Sequence, residues 1–222
     1  MIRSLLPIFF ICFLLNDLNA QEAGKPSPVS QKDFQLWLDA GLSYKVNKKL
    51  DLKFEAAYRR DNNLADVNEN YVELQAQTDP FKFLVLSGGY RFSGWFEQYI
   101  VNRLFTFARF SFKADRFKFQ YRLRFDYNFN LSYGNLPNHL RNKIKVTYRT
   151  RKFPLDPFLA YEMFYRTNYF DSRISQQRFD VGLNYSISKK HDLKVYYRFQ
   201  QRLNSIAPDK NYILGISYSF DL

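Results

Sequence analysis

Tyr212, Leu214, Ile216, Tyr218, Phe220 and Leu222 are large and apolar, while after Ile213 the residues between them, Gly215, Ser217, Ser219 and Asp221, are small or polar. A strand points successive side chains to opposite faces, so this last segment has one apolar and one polar face. The pattern recurs upstream. Residues 34–46 place Phe34, Leu36, Leu38, Ala40, Leu42, Tyr44 and Val46 on one face, and Gln35, Trp37, Asp39, Gly41, Ser43 and Lys45 on the other. Leu50, Leu52, Phe54, Ala56 and Tyr58 alternate with Asp51, Lys53, Glu55, Ala57 and Arg59, and Val72, Leu74 and Ala76 oppose Tyr71, Glu73, Gln75 and Gln77 ahead of Asp79-Pro80. The clearest case is 117–128, with Phe117, Phe119, Tyr121, Leu123, Phe125 and Tyr127 set against Lys118, Gln120, Arg122, Arg124, Asp126 and Asn128. Residues 83–92 and 98–112 are strand-like but aim Phe83, Phe105 and Phe107 at the polar face; four further strands fall near 140–149, 157–166, 177–186 and 192–202. Eleven strands are readable.

Short connections at 47–49, 79–80, 114–116 and 188–191 alternate with longer ones near 60–69, 130–139, 167–175 and 203–211. Together with the two-faced strands this predicts an all-β fold, an antiparallel transmembrane up-and-down β-barrel with the apolar faces outward and the polar faces lining a lumen. A soluble lipocalin-like barrel would have to bury all these aromatic faces in one small interior, which has no room for them. Placing the C-terminus in the periplasm makes 203–211 an extracellular loop and runs strand 34–46 inward from outside. Bacterial single-chain barrels have even strand numbers, so closure calls for one earlier strand within 21–32, despite Pro26 and Pro28. About twelve strands are expected, with ten as the alternative and a lumen-threading path as another role for that segment. The edge formed by Tyr212, Leu214, Ile216, Tyr218, Phe220 and Leu222 is expected to close the barrel and to engage the outer-membrane barrel assembly machinery.

The N-terminus fits an exported protein. Arg3 precedes an apolar run from Leu5 to Leu15, followed by Leu18-Asn19-Ala20, which reads as a signal peptide over 1–20, cut after Ala20. The lone Cys12 sits inside that run, so the mature chain is expected to lack cysteine. The division is then a signal peptide 1–20, a short N-terminal segment 21–32 and one barrel domain 33–222. Removing 1–20 takes Arg3 and Asp17 together, leaving the net charge at +12. Such a charge in a cytosolic protein would suggest nucleic acid, but here the basic residues alternate with aromatics along strands, and no nucleic-acid partner is expected. Aromatics make up 19% of the chain, and a mean hydropathy of −0.44 is what averaging polar and apolar faces produces.

The chain resembles a family of outer-membrane barrels known as domain of unknown function 2490. The resemblance rests on Leu36-Trp37-Leu38, on Glu55 with Arg59-Arg60, and on Leu140-Arg141-Asn142-Lys143. It extends through Phe158 to Glu162-Met163-Phe164, Gln177-Arg178-Phe179 with Gly182, and Asn204, covering nearly the whole mature chain. It implies the fold and an outer-membrane location, and no activity.

Little in the sequence points to catalysis. His139 lies in an expected loop and His191 in a tight turn; Ser132 and His139 lack both a glycine-rich elbow and an acidic orienter. No spacing suits a metal, so neither enzymatic activity nor a cofactor is expected. The polar faces carry more information. Glu55, Glu73, Lys118, Arg122, Arg124, Asp126, Arg141, Lys143, Lys145, Glu162, Arg178, Asp180, Lys194 and Arg198, with Arg149, are predicted to line the lumen. The expected role is a structural or small-ligand-binding barrel whose basic lumen is filled by side chains, its partners being outer-membrane lipids and a small anion. A narrow anion-preferring pore is the alternative, and a lipid-modifying barrel enzyme the second alternative.

Overall fold

Alternation alone builds this molecule. The structure, a computed structural model, describes residues 32–94, 100–130, 136–150, 153–167, 173–204 and 209–222. They form eleven strands: β1 (Lys32–Lys45), β2 (Asp51–Asp61), β3 (Asp66–Phe81), β4 (Leu84–Ser93), β5 (Val101–Ala114), β6 (Phe117–Phe129), β7 (His139–Tyr148), β8 (Leu155–Arg166), β9 (Ile174–Ser186), β10 (His191–Arg202) and β11 (Lys210–Asp221). The sheet closes on itself as a barrel in chain order. Every consecutive pair is antiparallel, as expected of an up-and-down barrel of about twelve strands.

The closure differs from the expected one. β1 pairs with β11 in parallel, from Lys32 opposite Lys210 to Ser43 opposite Asp221. A purely antiparallel ring needs an even count; one parallel pair removes that requirement. The side chains permit it, because register matches even positions with even, as in Leu36 opposite Leu214, so both strands keep their apolar side outward. The earlier strand sought within 21–32 falls, apart from Lys32 at the start of β1, outside the described residues, as does the signal peptide.

One rim carries the short turns 46–50, 82–83, 115–116 and 187–190 and the β7–β8 connection; the other carries the connections that follow β2, β4, β6, β8 and β10 and the starts of β1 and β11. Several local readings change. Residues 60–69 form no long loop: β2 and β3 run on to a turn at 62–65, where Asn62, Asn63 and Leu64 have φ of 48°, 54° and 70°. β3 passes through Pro80, with a register shift between Thr78 and Phe81 absorbing the missing N–H. Phe83 does not point inward; it lies exposed in the β3–β4 turn, stacked 5.5 Å from Phe81. Phe105 and Phe107 do point inward and are buried.

A row of alternating large and absent side chains crosses five strands of the inner wall. Phe158 on β8 lies opposite Gly182 on β9, Gly182 opposite Tyr196 on β10, Tyr196 opposite Gly215 on β11, and Gly215 opposite Trp37 on β1. A Cβ at Gly215 would sit 2.1 Å from Tyr196 Cζ, and one at Gly182 would sit 2.9 Å from Phe158 Cε1. Gly89 and Phe105 repeat the device on β4 and β5, where a Cβ would come within 2.4 Å of Phe105 Cζ. Each glycine is thus the floor on which a neighbouring ring lies flat, the aromatic–glycine pairing that steadies a curved sheet. Trp37, Phe105, Phe158 and Tyr196 therefore fill the lumen from the wall inward.

Candidate functional site in the barrel lumen

Above this aromatic floor the inner wall carries a linked set of ion pairs. Glu162 on β8, with a side chain only 2% exposed, is its hub. Arg122 Nη2 and Arg141 Nη2 each donate to Glu162 Oε1 at 2.8 Å, while Arg178 Nη1 and Lys143 Nζ stand 3.9 and 4.0 Å from Oε2. Arg141 Nη1 also reaches Asp126 Oδ2 at 3.0 Å, and Arg124 Nε reaches Asp126 Oδ1 at 2.6 Å. Glu73 continues the chain, taking Arg91 Nη2 at 2.7 Å with Arg124 at 3.6 Å. On the other side Lys143 Nζ bridges to Asp180 Oδ2 at 2.9 Å, and Asp180 accepts from Arg198 Nε at 2.6 Å. The network thus runs from β3 and β4 round to β10.

Trp37 joins its ends. Arg59, Arg198 and Arg178 stand 3.9, 4.9 and 5.3 Å from the Trp37 ring centre, and the indole Nε1 donates to Gln35 Oε1 at 3.0 Å. Arg59 pairs with Glu69, and Tyr71, with Arg91 3.5 Å from its ring centre, donates to Glu55 Oε1 at 2.7 Å. Guanidinium groups lose less on leaving water than ammonium groups and stack on aromatic faces, which is why arginine dominates this belt.

The belt encloses a polar cavity of about 570 Å³. Twelve arginines and lysines reach its wall against six carboxylates. The surplus is uneven. Among the described residues the belt's acids neutralise cations toward the long-loop rim, whereas Lys53, Arg109, Lys118, Lys145 and Lys194, nearer the short-turn rim, make no ion pair. Lys145 Nζ rests 4.0 Å from the Phe158 ring centre and 3.4 Å from Asn184 Oδ1; Lys194 Nζ lies 5.0 Å from the Tyr196 ring centre.

Of the residues expected to line the lumen, Glu55, Glu73, Arg122, Arg124, Asp126, Arg141, Lys143, Glu162, Arg178, Lys194 and Arg198 border this cavity. Asp180 is buried behind it as a partner of Lys143 and Arg198, and Lys118 and Lys145 stand half-buried on the same inward faces toward the short-turn rim. Arg149 is not a lumen residue: it follows the end of β7 and is exposed. Asp39, Lys53 and Arg59, placed on polar strand faces by the alternation but not among the expected lumen residues, also border the cavity, as do Glu69, Arg91, Arg103 and Arg109. A strict inward-position count along β3 to β5 would have found Arg91, Arg103 and Arg109.

His139 is not a solvent-facing loop residue. It begins β7, faces inward and lies edge-on to Phe164 with ring centres 6.1 Å apart. Ser132 lies outside the described residues. His191 begins β10 on the outer surface, its Nδ1 2.5 Å from the Tyr218 hydroxyl. Among the described residues no group of three or more His, Cys, Asp or Glu could hold a metal ion.

The family described as a protein of unknown function (DUF2490) matches residues 34–211, from β1 to the start of β11. No curated protein matches the chain.

Proposed function

The chain belongs to the DUF2490 family, and we propose that it is an outer-membrane barrel whose lumen is closed by its own side chains and binds a small solute instead of conducting ions. The observation that carries this reading is the Glu162 hub: one buried carboxylate draws Arg122, Arg141, Lys143 and Arg178, from β6, β7 and β9, into the bore. A barrel near this size has an interior that side chains can fill. The membrane location is supported by the outer surface, where Leu42, Phe54, Leu74, Leu104, Phe112 and Leu159 are all exposed. Such a surface would aggregate in water and is what a hydrocarbon environment requires. The short-turn rim would face the periplasm, and the β11 edge would be read by the barrel assembly machinery.

Single-channel recording of the refolded protein in a planar bilayer tests closure directly. No conductance steps above the bare membrane are expected. Steady anion-selective steps would instead favour a narrow pore, the reading that the twelve-to-six excess of cations supports.

Location and orientation are tested by substitution on β6. Leu123 faces outward and Arg122 inward. Leu123→Arg should cost about 2–4 kcal/mol if the residue lies at the bilayer midplane, and Arg122→Gln should cost less, because Glu162 retains Arg141. Urea titration of both variants in lipid vesicles reads the difference; equal costs would contradict a membrane-facing Leu123. The wild-type protein should sediment with outer membranes through carbonate washing and shift in gel mobility on boiling.

A further inference from the structure

β5, β6 and β7 bring together a patch of inner wall that contains cations and neutral donors but no carboxylate. Counting inward positions toward the short-turn rim, β5 supplies Arg109, Ser111 and, exposed at the rim, Lys113, β6 supplies Gln120 and Lys118, and β7 supplies Lys145 and Thr147. Register makes them neighbours: Ser111 lies opposite Gln120, Gln120 opposite Lys145, and Lys118 opposite Thr147. Gln120 Nε2 donates to Ser111 Oγ at 3.3 Å, and the buried Nε of Arg109 has no hydrogen-bond partner. Arg109 and Lys113 act on Lys118, and Lys118 acts on Lys145, so the patch gathers like charge with which, among the described residues, no carboxylate makes an ion pair. The acid that acts on Lys145 is Asp180, which Lys143 and Arg198 already hold. The neighbouring Arg122 is likewise occupied by Glu162.

Like charges held together in a confined wall repel, and a fold keeps such an arrangement at a cost unless an anion offsets it. We propose that this patch is a binding site for a soluble oxyanion of the phosphate class, entering from the short-turn mouth. Adjacent strands stand about 4.8 Å apart, so three of them spread their cations over about 10 Å. That width suits two linked phosphate groups better than one. Arg109 offers paired N–H donors to phosphate oxygens, Lys118 and Lys145 act as point charges, and the Ser111, Gln120 and Thr147 side chains supply neutral donors between them. The Glu162 belt blocks passage toward the far rim, making the site a dead-end vestibule. In this respect the proposal rests on the closed-lumen reading.

The test is calorimetric titration of the refolded, detergent-solubilised protein with sodium pyrophosphate at fixed ionic strength. Saturable binding of one equivalent is expected. It should weaken at least tenfold in Arg109→Gln/Lys118→Gln/Lys145→Gln and at least threefold in Lys145→Gln alone, each variant first shown to keep its heat-dependent gel shift. Lys48→Gln/Lys49→Gln/Lys82→Gln removes the same charge from exposed turns at the same rim and should leave affinity within twofold. Absence of saturable binding, or an equal loss in both triple variants, would overturn the site. Titration with water-soluble dihexanoyl phosphatidic acid separates the two sources of phosphate: binding of that lipid without pyrophosphate would overturn a soluble ligand, and tighter binding of pyrophosphate supports it. Conductance is read on the same preparation. Channel steps with intact pyrophosphate binding would remove the closed lumen and keep the site; a silent bilayer without binding would do the reverse.

Discussion

Gly215→Leu should abolish the folded barrel. The new Cβ alone would lie 2.1 Å from Tyr196 Cζ and 2.4 Å from Cε1, well inside any real contact. Tyr196 is only 4% exposed and cannot yield: Phe158 and Ala160 pack against it, and Gly182 lies opposite it on β9. Either the ring leaves its place or β11 moves off β10, and β11 is also the strand that closes the barrel on β1. Overpacking a well-filled interior costs about 1–3 kcal/mol; here the strain falls on the closing strand, and loss of assembly is the expected result. The measurement is the fraction of protein in outer membranes that shifts mobility on boiling. Tyr196→Gly added to Gly215→Leu should recover part of that fraction, and a single variant that assembles at the wild-type level would show that the ring does not lie on Gly215. Gly41→Ala is the contrast: its Cβ would meet nothing closer than 3.7 Å, so assembly should be unchanged.

Glu162→Gln should have the next largest effect. The substitution keeps the volume and removes the charge that Arg122, Arg141, Lys143 and Arg178 share. Asp126 and Asp180 still hold Arg141 and Lys143, but among the described residues Arg122 and Arg178 pair with no other carboxylate. Taking one partner from a buried network costs about 3–5 kcal/mol, because the remaining charges stay desolvated. Urea unfolding of the variant in vesicles should show a loss of that size. The four cations should also spread apart, so the planar bilayer that is silent with wild type should show anion-selective steps. Asp209→Asn breaks Arg202–Asp209, a pair whose arginine is 65% exposed, and should cost no more than about 1 kcal/mol. Equal stability of Glu162→Gln and wild type would mean that the belt is held by packing and not by charge.

The barrel wall was legible because its two faces differ in polarity, and a period of two is the direct record of that difference. β6 is the plainest example: all its odd residues from Phe117 to Tyr127 lie outward and exposed, and Lys118 to Asn128 lie inward. Legibility fell where the inner wall itself is aromatic. Trp37, Tyr71, Phe105, Phe107, Phe158 and Tyr196 face inward, so the contrast between faces on β3 to β5 is weak and Arg91, Arg103 and Arg109 passed unremarked. Pairing is harder still to read. Glu73 was expected in the lumen, but that Arg91 is its partner depends on β3–β4 register, which composition does not carry. The direction of closure left no trace in the alternation either, since parallel and antiparallel neighbours ask the same two faces of a strand. Loop lengths misled for a simpler reason. Asn62, Asn63 and Leu64 turn the chain with left-handed backbone, and a leucine in that conformation is rare enough to be missed.

The parallel closure sets an order of events in biogenesis. Every other strand pair can form as a hairpin between neighbours in sequence, at small loop-closure entropy. β1 and β11 are the first and last strands of the described residues, so their pairing encloses nearly the whole domain and should form last. Until then both edges stay open and prone to wrong pairing. Because the strands run the same way, the starting end of β1 must already have reached the long-loop rim when β11 arrives beside it. In the proposed outer-membrane setting, with the short-turn rim on the side from which the chain is delivered, Lys32 would have to cross the bilayer before closure. The rate of folding would then be governed by moving the polar start of the first strand through the membrane, and the last strand could seal the barrel only after that passage.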